Sequence, residues 1–171
     1  MHLTKGTEQA ICIMILLYIQ DRNIYLSSKE ISERLDISQT YLKKIMRKLV
    51  LNKLVKANPG VGGGYKYRPK KKVTFYQIYK AINGKVEIFV LKSDYIEKIF
   101  TGVRHTHTRY EEYLEHLNAI NLALEEALNS FTIDDVVANI LKENVDIKLD
   151  WNKWEKELEN IYKKMEENKG L

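Results

Sequence analysis

Four of the eight glycines in this chain are packed into one short run, Asn58-Pro59-Gly60-Val61-Gly62-Gly63-Gly64. The only two prolines, Pro59 and Pro69, lie in or beside the same run. A chain that gathers its backbone breakers in one place is built mostly of helices, with one tight reversal. Strand-type residues flank the run, Leu54-Val55-Lys56 before it and Tyr65-Lys66-Tyr67-Arg68 after it, which predicts a β-hairpin with a glycine-rich tip. Glycines at such a tip adopt φ > 0 and expose bare N–H groups, so the tip can lie against a phosphate or in a minor groove. As a nucleotide-binding loop the run fails, because neither a Walker lysine-serine pair nor a helix start follows it. Lys70-Lys71-Lys72 stand at the foot of the hairpin.

The residues before the hairpin pair two capped helices. Ser27 and Glu30 have capping-box spacing for a short helix carrying Ile31 and Leu35; Asp36-Ile37-Ser38 then breaks the pattern, and Ser38 caps a second helix. That helix has an inward stripe of Tyr41, Leu42, Ile45, Leu49 and Val50, opposite a polar and basic face of Gln39, Thr40, Lys43, Lys44, Arg47 and Lys48. Two helices joined by a three-residue turn, the second led by short polar residues with cations behind, describe a helix-turn-helix. Short leading residues can approach base edges while the cations behind them meet phosphates. Ahead of this pair, Thr7 to Asp21 is apolar nearly all round, which predicts a helix covered on several sides, as where subunits or domains meet.

Charge follows the same division. Residues 1–72 hold 15 Lys and Arg against 5 Asp and Glu, whereas residues 73–171 hold 13 against 18. A basic front and an acidic back fit a nucleic-acid-binding head with a separate assembly region. The longest apolar run, Ala10 to Ile19, has ten residues, well short of the ~18 that a membrane span needs. It is followed by Gln20-Asp21-Arg22 rather than the small residues of a secretory cleavage site, so the protein is expected in the cytoplasm, away from membranes. A single cysteine, Cys12, permits no internal disulfide. No nucleophile elbow, zinc-protease helix, dinucleotide fingerprint or acid-base pair points to an enzyme.

Behind the hairpin, Thr74 and Gln77 have capping-box spacing for a helix that stops at Asn83-Gly84, and a strand-like stretch, Val86 to Leu91, follows. From Thr108, Tyr110, Tyr113, Leu117, Ile120, Leu124, Ala127 and Phe131 recur at alternating spacings of three and four, with Leu114 and Leu128 broadening the seam. A stripe that long invites pairing with a second copy, and its eight large residues, all but Ala127, form the candidate dimerisation set. Thr132 to Leu141 predicts a further capped helix, and Trp151, Trp154, Leu158, Ile161 and Met165 an amphipathic one. The expected fold is mainly α with a small β-wing, a winged helix-turn-helix plus a long dimerisation helix. Its expected domains are residues 1–90 for DNA binding, 91–142 for linker and dimerisation, and 143–171 as a C-terminal tail.

These residues resemble the Rrf2 family of bacterial transcription regulators. The likeness runs through Leu3-Thr4-Lys5-Gly6, Ile37-Ser38-Gln39-Thr40-Tyr41-Leu42, Leu54-Val55 and Gly60-Val61-Gly62-Gly63-Gly64-Tyr65, then Ala81-Ile82-Asn83-Gly84 and Leu128 to Val136, covering about residues 1–140. It implies a homodimer, usually a repressor, on a near-palindromic double-stranded operator. The candidate DNA-binding residues are Ser28, Ser38, Gln39, Thr40, Tyr41, Lys43, Lys44, Arg47, Lys48, Asn58, Gly62, Gly63, Gly64, Tyr65 and Lys66. Cluster-binding members of the family carry three cysteines before the long helix, but here Lys92 to Thr108 contains none, so no iron-sulfur cluster or other cofactor is expected. Glu8 stands where some members use an acidic ligand, with nothing to complete a site. Where some members read bases with a wing arginine and a recognition-helix glutamate, this chain has Pro59 and Lys43, which implies a different operator. His105-Thr106-His107 lacks nearby carboxylate or thiolate partners and reads as a polar loop rather than a metal site; Cys12 reads as a buried, inert thiol. A small-molecule or protein effector is the expected signal. The competing reading is an adaptor that keeps the fold and docks a partner through its acidic back half.

Overall fold

The computed structural model describes residues 4–86, 98–103, 106–141 and 148–154, together with Tyr95. Residues 87–91 of the expected strand, His105, and the C-terminal Leu158, Ile161 and Met165 lie outside the described residues. In chain order the elements are α1 (Lys5–Ile19), α2 (Ser28–Arg34), α3 (Gln39–Leu51), β1 (Val55–Asn58), β2 (Gly64–Tyr67), α4 (Phe75–Asn83), α5 (Thr106–Ser130) and α6 (Ile133–Leu141), ending in a 3-10 turn, Trp151–Lys153. The fold is mainly helical with a two-stranded wing.

Helix α1 is the hub. The Thr4 hydroxyl accepts from the Thr7 N–H at 3.3 Å and starts the helix, and Ala10, Ile13, Met14 and Leu17 are wholly buried. It packs against α3, α4, α6 and β2, which is why the segment reads as apolar on nearly every side. Ile31 of α2, Leu42, Met46 and Leu49 of α3, Ile78 of α4 and Ile133 of α6 close the same core around it.

Local capping signals translated unequally. Thr74 and Gln77 form the full reciprocal box, with the Gln77 N–H donating to Thr74 Oγ1 (3.2 Å) and the Thr74 N–H donating to Gln77 Oε1 (3.0 Å). At α2 only half of the expected box forms. Ser27 Oγ accepts from the Glu30 N–H (3.1 Å), but the Glu30 carboxylate pairs with Arg34 one turn on, and the Ser27 N–H donates instead to Asn152 Oδ1 (3.2 Å). A charged partner at i,i+4 outcompetes a neutral backbone donor for the carboxylate.

The inward stripe of α3 also differs from expectation. Leu42, Ile45, Met46 and Leu49 are buried, Val50 is only half-buried, and Tyr41 is 37% exposed. At 3.6 residues per turn, Met46 completes the face centred on Leu42 and Leu49, whereas Tyr41 falls at its edge. There its hydroxyl lies 3.2 Å from where a Cβ on Gly6 would stand, at the start of α1.

The long helix α5 has 25 residues and so extends about 37 Å at 1.5 Å per residue. It is fastened to α4 through Tyr76 Oη donating to Glu125 Oε1 (2.8 Å), and the rings of Phe75 and Phe131 meet with centroids 6.3 Å apart. Segment 148–154, which the sequence places in the expected 143–171 tail, lies on α1 and α2. Trp151 Nε1 donates to the Leu16 carbonyl at 3.0 Å.

Candidate nucleic-acid interface

Ser38 opens α3 by accepting from the Tyr41 N–H (3.2 Å), and this phase turns Gln39, Thr40, Lys43, Lys44 and Arg47 outward together, all exposed. The helix contains no acidic residue. Among the described residues no carboxylate pairs with Lys43, Lys44 or Arg47; the ion pairs join Lys29 to Glu33, Arg34 to Glu30, Lys72 to Asp135 and Lys153 to Asp150. The result is a strip of uncompensated positive charge behind two short polar side chains.

Lys48, grouped with these cations by sequence, is engaged elsewhere. Its Nζ donates to the Ile82 carbonyl at 2.6 Å. The ammonium thus sits at the C-terminal, negative end of α4 and clips α3 to it. Lys48 therefore supports the strip from behind.

The wing is an antiparallel pair with Val55 opposite Tyr67, Lys56 opposite Lys66, Ala57 opposite Tyr65 and Asn58 opposite Gly64. Leu26 bridges β2 from a third segment: its N–H donates to the Tyr65 carbonyl (2.9 Å) and its carbonyl accepts from the Tyr65 N–H (2.8 Å). Asn58, Val61 and Gly62 are exposed at the tip. Gly64 is not: it is buried, and a Cβ on it would fall 2.2 Å from the Leu26 carbonyl oxygen. The glycine is demanded there by the close approach of a neighbouring backbone rather than by contact with a ligand. Gly63, half-buried, has the same constraint, with the Asn58 carbonyl 2.2 Å from its virtual Cβ.

Two further candidates turn inward. Lys66 faces Lys56 across the sheet, and like charges directly opposite repel; its Nζ donates instead to the Asn23 carbonyl (2.7 Å) and lies 4.1 Å from the Tyr25 ring centre. Lys56 is left exposed, a cation that its register partner could have flagged in the sequence. Tyr65 is half-buried near the Ser28 side chain, its ionisation is disfavoured by burial, and its backbone bonds to Leu26 tie the wing to the segment that leads into α2. Arg22, which sequence reasoning passed over, lies over the ring of Tyr67 at 4.2 Å and holds the root of the wing to α1.

The expected dimerisation residues divide along α5. Tyr110 is buried, Leu114, Leu117, Leu124 and Leu128 are half-buried, and Tyr113 (57%), Ile120 (46%) and Phe131 stay exposed. One edge of the seam is therefore covered within the chain and the other stands open.

Cys12 lies on α1, half-buried beside Arg34, Leu35 and Trp154, and burial together with the Glu8 charge pushes its thiol up from the ordinary value. Among the described residues no three His, Cys, Asp or Glu side chains gather at one point. No helix among them is long and apolar enough to cross a membrane.

The profile of a family described as "Rrf2: Iron-dependent Transcriptional regulator" matches residues 3–139. The chain belongs to the Rrf2 family. It is a helix-turn-helix regulator of transcription, not an enzyme. Among Rrf2-type relatives, YwgB of Bacillus subtilis is 35% identical over 106 residues, 61% of this chain and 67% of that protein. The HTH-type transcriptional regulator NsrR of Oceanobacillus iheyensis is 26% identical over 141 residues, 81% of this chain and 91% of that protein. Two other relatives are matched over only 58% of their length. The solved structure of CymR, the global cysteine regulator of B. subtilis, superposes with a TM-score of 0.57 at 23% identity, covering 80% of this chain and 95% of the CymR chain. That likeness carries the Rrf2 fold.

Proposed function

We propose that this Rrf2 protein is a sequence-specific repressor that binds a near-palindromic operator in the cytoplasm as a homodimer. The observation that carries this reading is the outer face of α3, where Gln39 and Thr40 lead and Lys43, Lys44 and Arg47 follow with no described acidic partner. A helix so arranged enters a major groove with its leading residues on base edges and its cations on phosphates, while the exposed wing tip at Asn58 and Gly62 meets the flanking backbone. Selection of full-length protein on random double-stranded DNA should recover an inverted repeat with half-sites about one helical turn, roughly 34 Å, apart. Failure to enrich any sequence would overturn the proposal, and enrichment of a single asymmetric half-site would overturn its dimeric form.

The open edge of α5 supports the dimer. A second copy laid along it would cover Tyr113 and Ile120, apolar side chains that one chain leaves in water. Ile120→Lys places a charge in that contact and should weaken self-association by about a hundred-fold, read by analytical ultracentrifugation at micromolar concentration. An unchanged dimer would remove this edge from the interface.

The signal proposed is a small molecule or a protein rather than a family-type cluster. The donor set supports this, since the one thiol of the chain is Cys12, set into α1 with a raised pKa, and thiolates are the ligands such clusters need. Colour or stoichiometric iron in anaerobically purified protein would contradict it.

A further inference from the structure

The only two tryptophans of the chain, Trp151 and Trp154, stand on one short segment beyond the residues that match the family profile. That segment is bound in turn to the end of α1, the α1–α2 connection and α2. The Leu149 N–H donates to the Ile19 carbonyl (3.1 Å) and its carbonyl accepts from the Asp21 N–H (2.9 Å). Gln20, 1% exposed, accepts from the Trp151 N–H through Oε1 at 3.0 Å. Asn152 donates through Nδ2 to the Tyr25 carbonyl (3.1 Å) and accepts through Oδ1 from the Ser27 N–H, the cap of α2. Arg34, in the last turn of α2, lies 4.8 Å from each indole centre and donates through Nη2 to the Trp151 carbonyl (3.1 Å).

We propose that residues 148–154 are an intramolecular clamp that positions α2, and through it the recognition helix α3, for DNA, with Arg34, Trp151 and Asn152 as its positioning residues. The inference rests on the outer face of α3 being the DNA-binding surface. Helix α2 has seven residues and buries only Ile31 and Ser32. A helix that short has little stability of its own and takes its orientation from what it packs against. The clamp holds both of its ends, Ser27 at the start and Arg34 at the finish. Helix α2 in turn sets α3 across the turn, where the Ile37 N–H donates to the Ser32 carbonyl at 3.0 Å. The described clamp contacts reach α1, the α1–α2 connection and α2, and leave Gln39, Thr40, Lys43, Lys44 and Arg47 uncovered. A docked clamp is thus compatible with bound DNA and favours it.

The test uses full-length protein, the Arg34→Ala and Asn152→Ala variants, and a fluorescein-labelled duplex taken from the enriched random pool. Loss of one or two hydrogen bonds from the clamp should raise the Kd about three- to ten-fold. The slope of affinity against salt should stay at its wild-type value, because no phosphate contact is removed. Acrylamide should quench the two tryptophans more strongly in the free variants, and added duplex should restore protection, because coupling between clamp and DNA is reciprocal. A merely structural role would not give that restoration. Variants that bind the duplex like the wild type while their tryptophans are exposed would overturn the clamp, as would DNA that leaves the quenching of Asn152→Ala unchanged. Should Arg34→Ala fail to fold, Asn152→Ala, an exposed side chain, decides alone. If the wild type itself retains no DNA, the function proposed above fails first, and the clamp's role in DNA binding falls with it.

Discussion

Replacing Gly64 with valine should detach the wing from the helix-turn-helix. A Cβ at this position would lie 2.2 Å from the Leu26 carbonyl oxygen and 2.7 Å from its carbon, and φ is +152°, a conformation that side chains rarely adopt. Backbone is the obstacle, so no rotamer change relieves it. Either the Leu26–Tyr65 bridge opens, losing two hydrogen bonds, or Leu26 leaves a core in which it is wholly buried. The combined cost should be about 3 kcal/mol. For a chain of this size that lowers Tm by roughly 6–12 °C. Gly62→Ala is the control: its φ is +72° but nothing lies within 4 Å of the added carbon, so it should cost only about 1–2 kcal/mol of backbone strain. A thermal melt in which Gly64→Val unfolds no earlier than Gly62→Ala would refute the packing argument.

Lys44→Ala with Arg47→Ala should abolish most DNA affinity without loosening the fold. Both side chains are exposed, neither has a described acidic partner, and surface changes of that kind usually move stability by less than about 0.5 kcal/mol. On DNA, each substitution should weaken binding about five- to ten-fold on every sequence, and together by roughly thirty- to a hundred-fold. Each should also flatten the log–log salt slope by about 0.9. Gln39→Ala and Thr40→Ala should instead change preference between bases, by about 1–3 kcal/mol at the base pair they face. Fluorescence anisotropy across a salt series, on the selected site and on single-base variants of it, separates the two behaviours. Equal losses on all duplexes for all four substitutions would end the division between phosphate and base contacts. Lys48→Ala should behave differently again, costing about 1 kcal/mol of stability because the Ile82 carbonyl loses its donor.

The parts of this protein that were legible without coordinates rest on short-range physics. Ser38, Thr74 and Gln77 act on N–H groups three residues away, and the spacing of Leu42, Ile45 and Leu49 records a helix turn, so caps and inward faces follow from residue order. The glycine-rich reversal and its flanking strands are local in the same sense. Partners chosen from far along the chain were hidden. The Ser27 N–H goes to Asn152, 125 residues on, and Lys48 and Lys66 look like members of a cationic face until the Ile82 and Asn23 carbonyls come within reach. Tyr41 and Met46 exchanged places although residue order separates them, since the helix period puts Met46 on the Leu42–Leu49 face and Tyr41 at its edge.

Sequence alone therefore determined the order of elements, the family, and the basic strip that begins at Gln39, because each depends on chemistry repeated within a few residues. Tertiary structure alone decided which lysines keep an uncommitted charge, why Gly64 must be glycine, and that Trp151 docks on α1. Those outcomes depend on groups up to 135 residues apart meeting at about 3 Å, as the Trp151 indole and the Leu16 carbonyl do, and no spacing along the chain encodes such a distance.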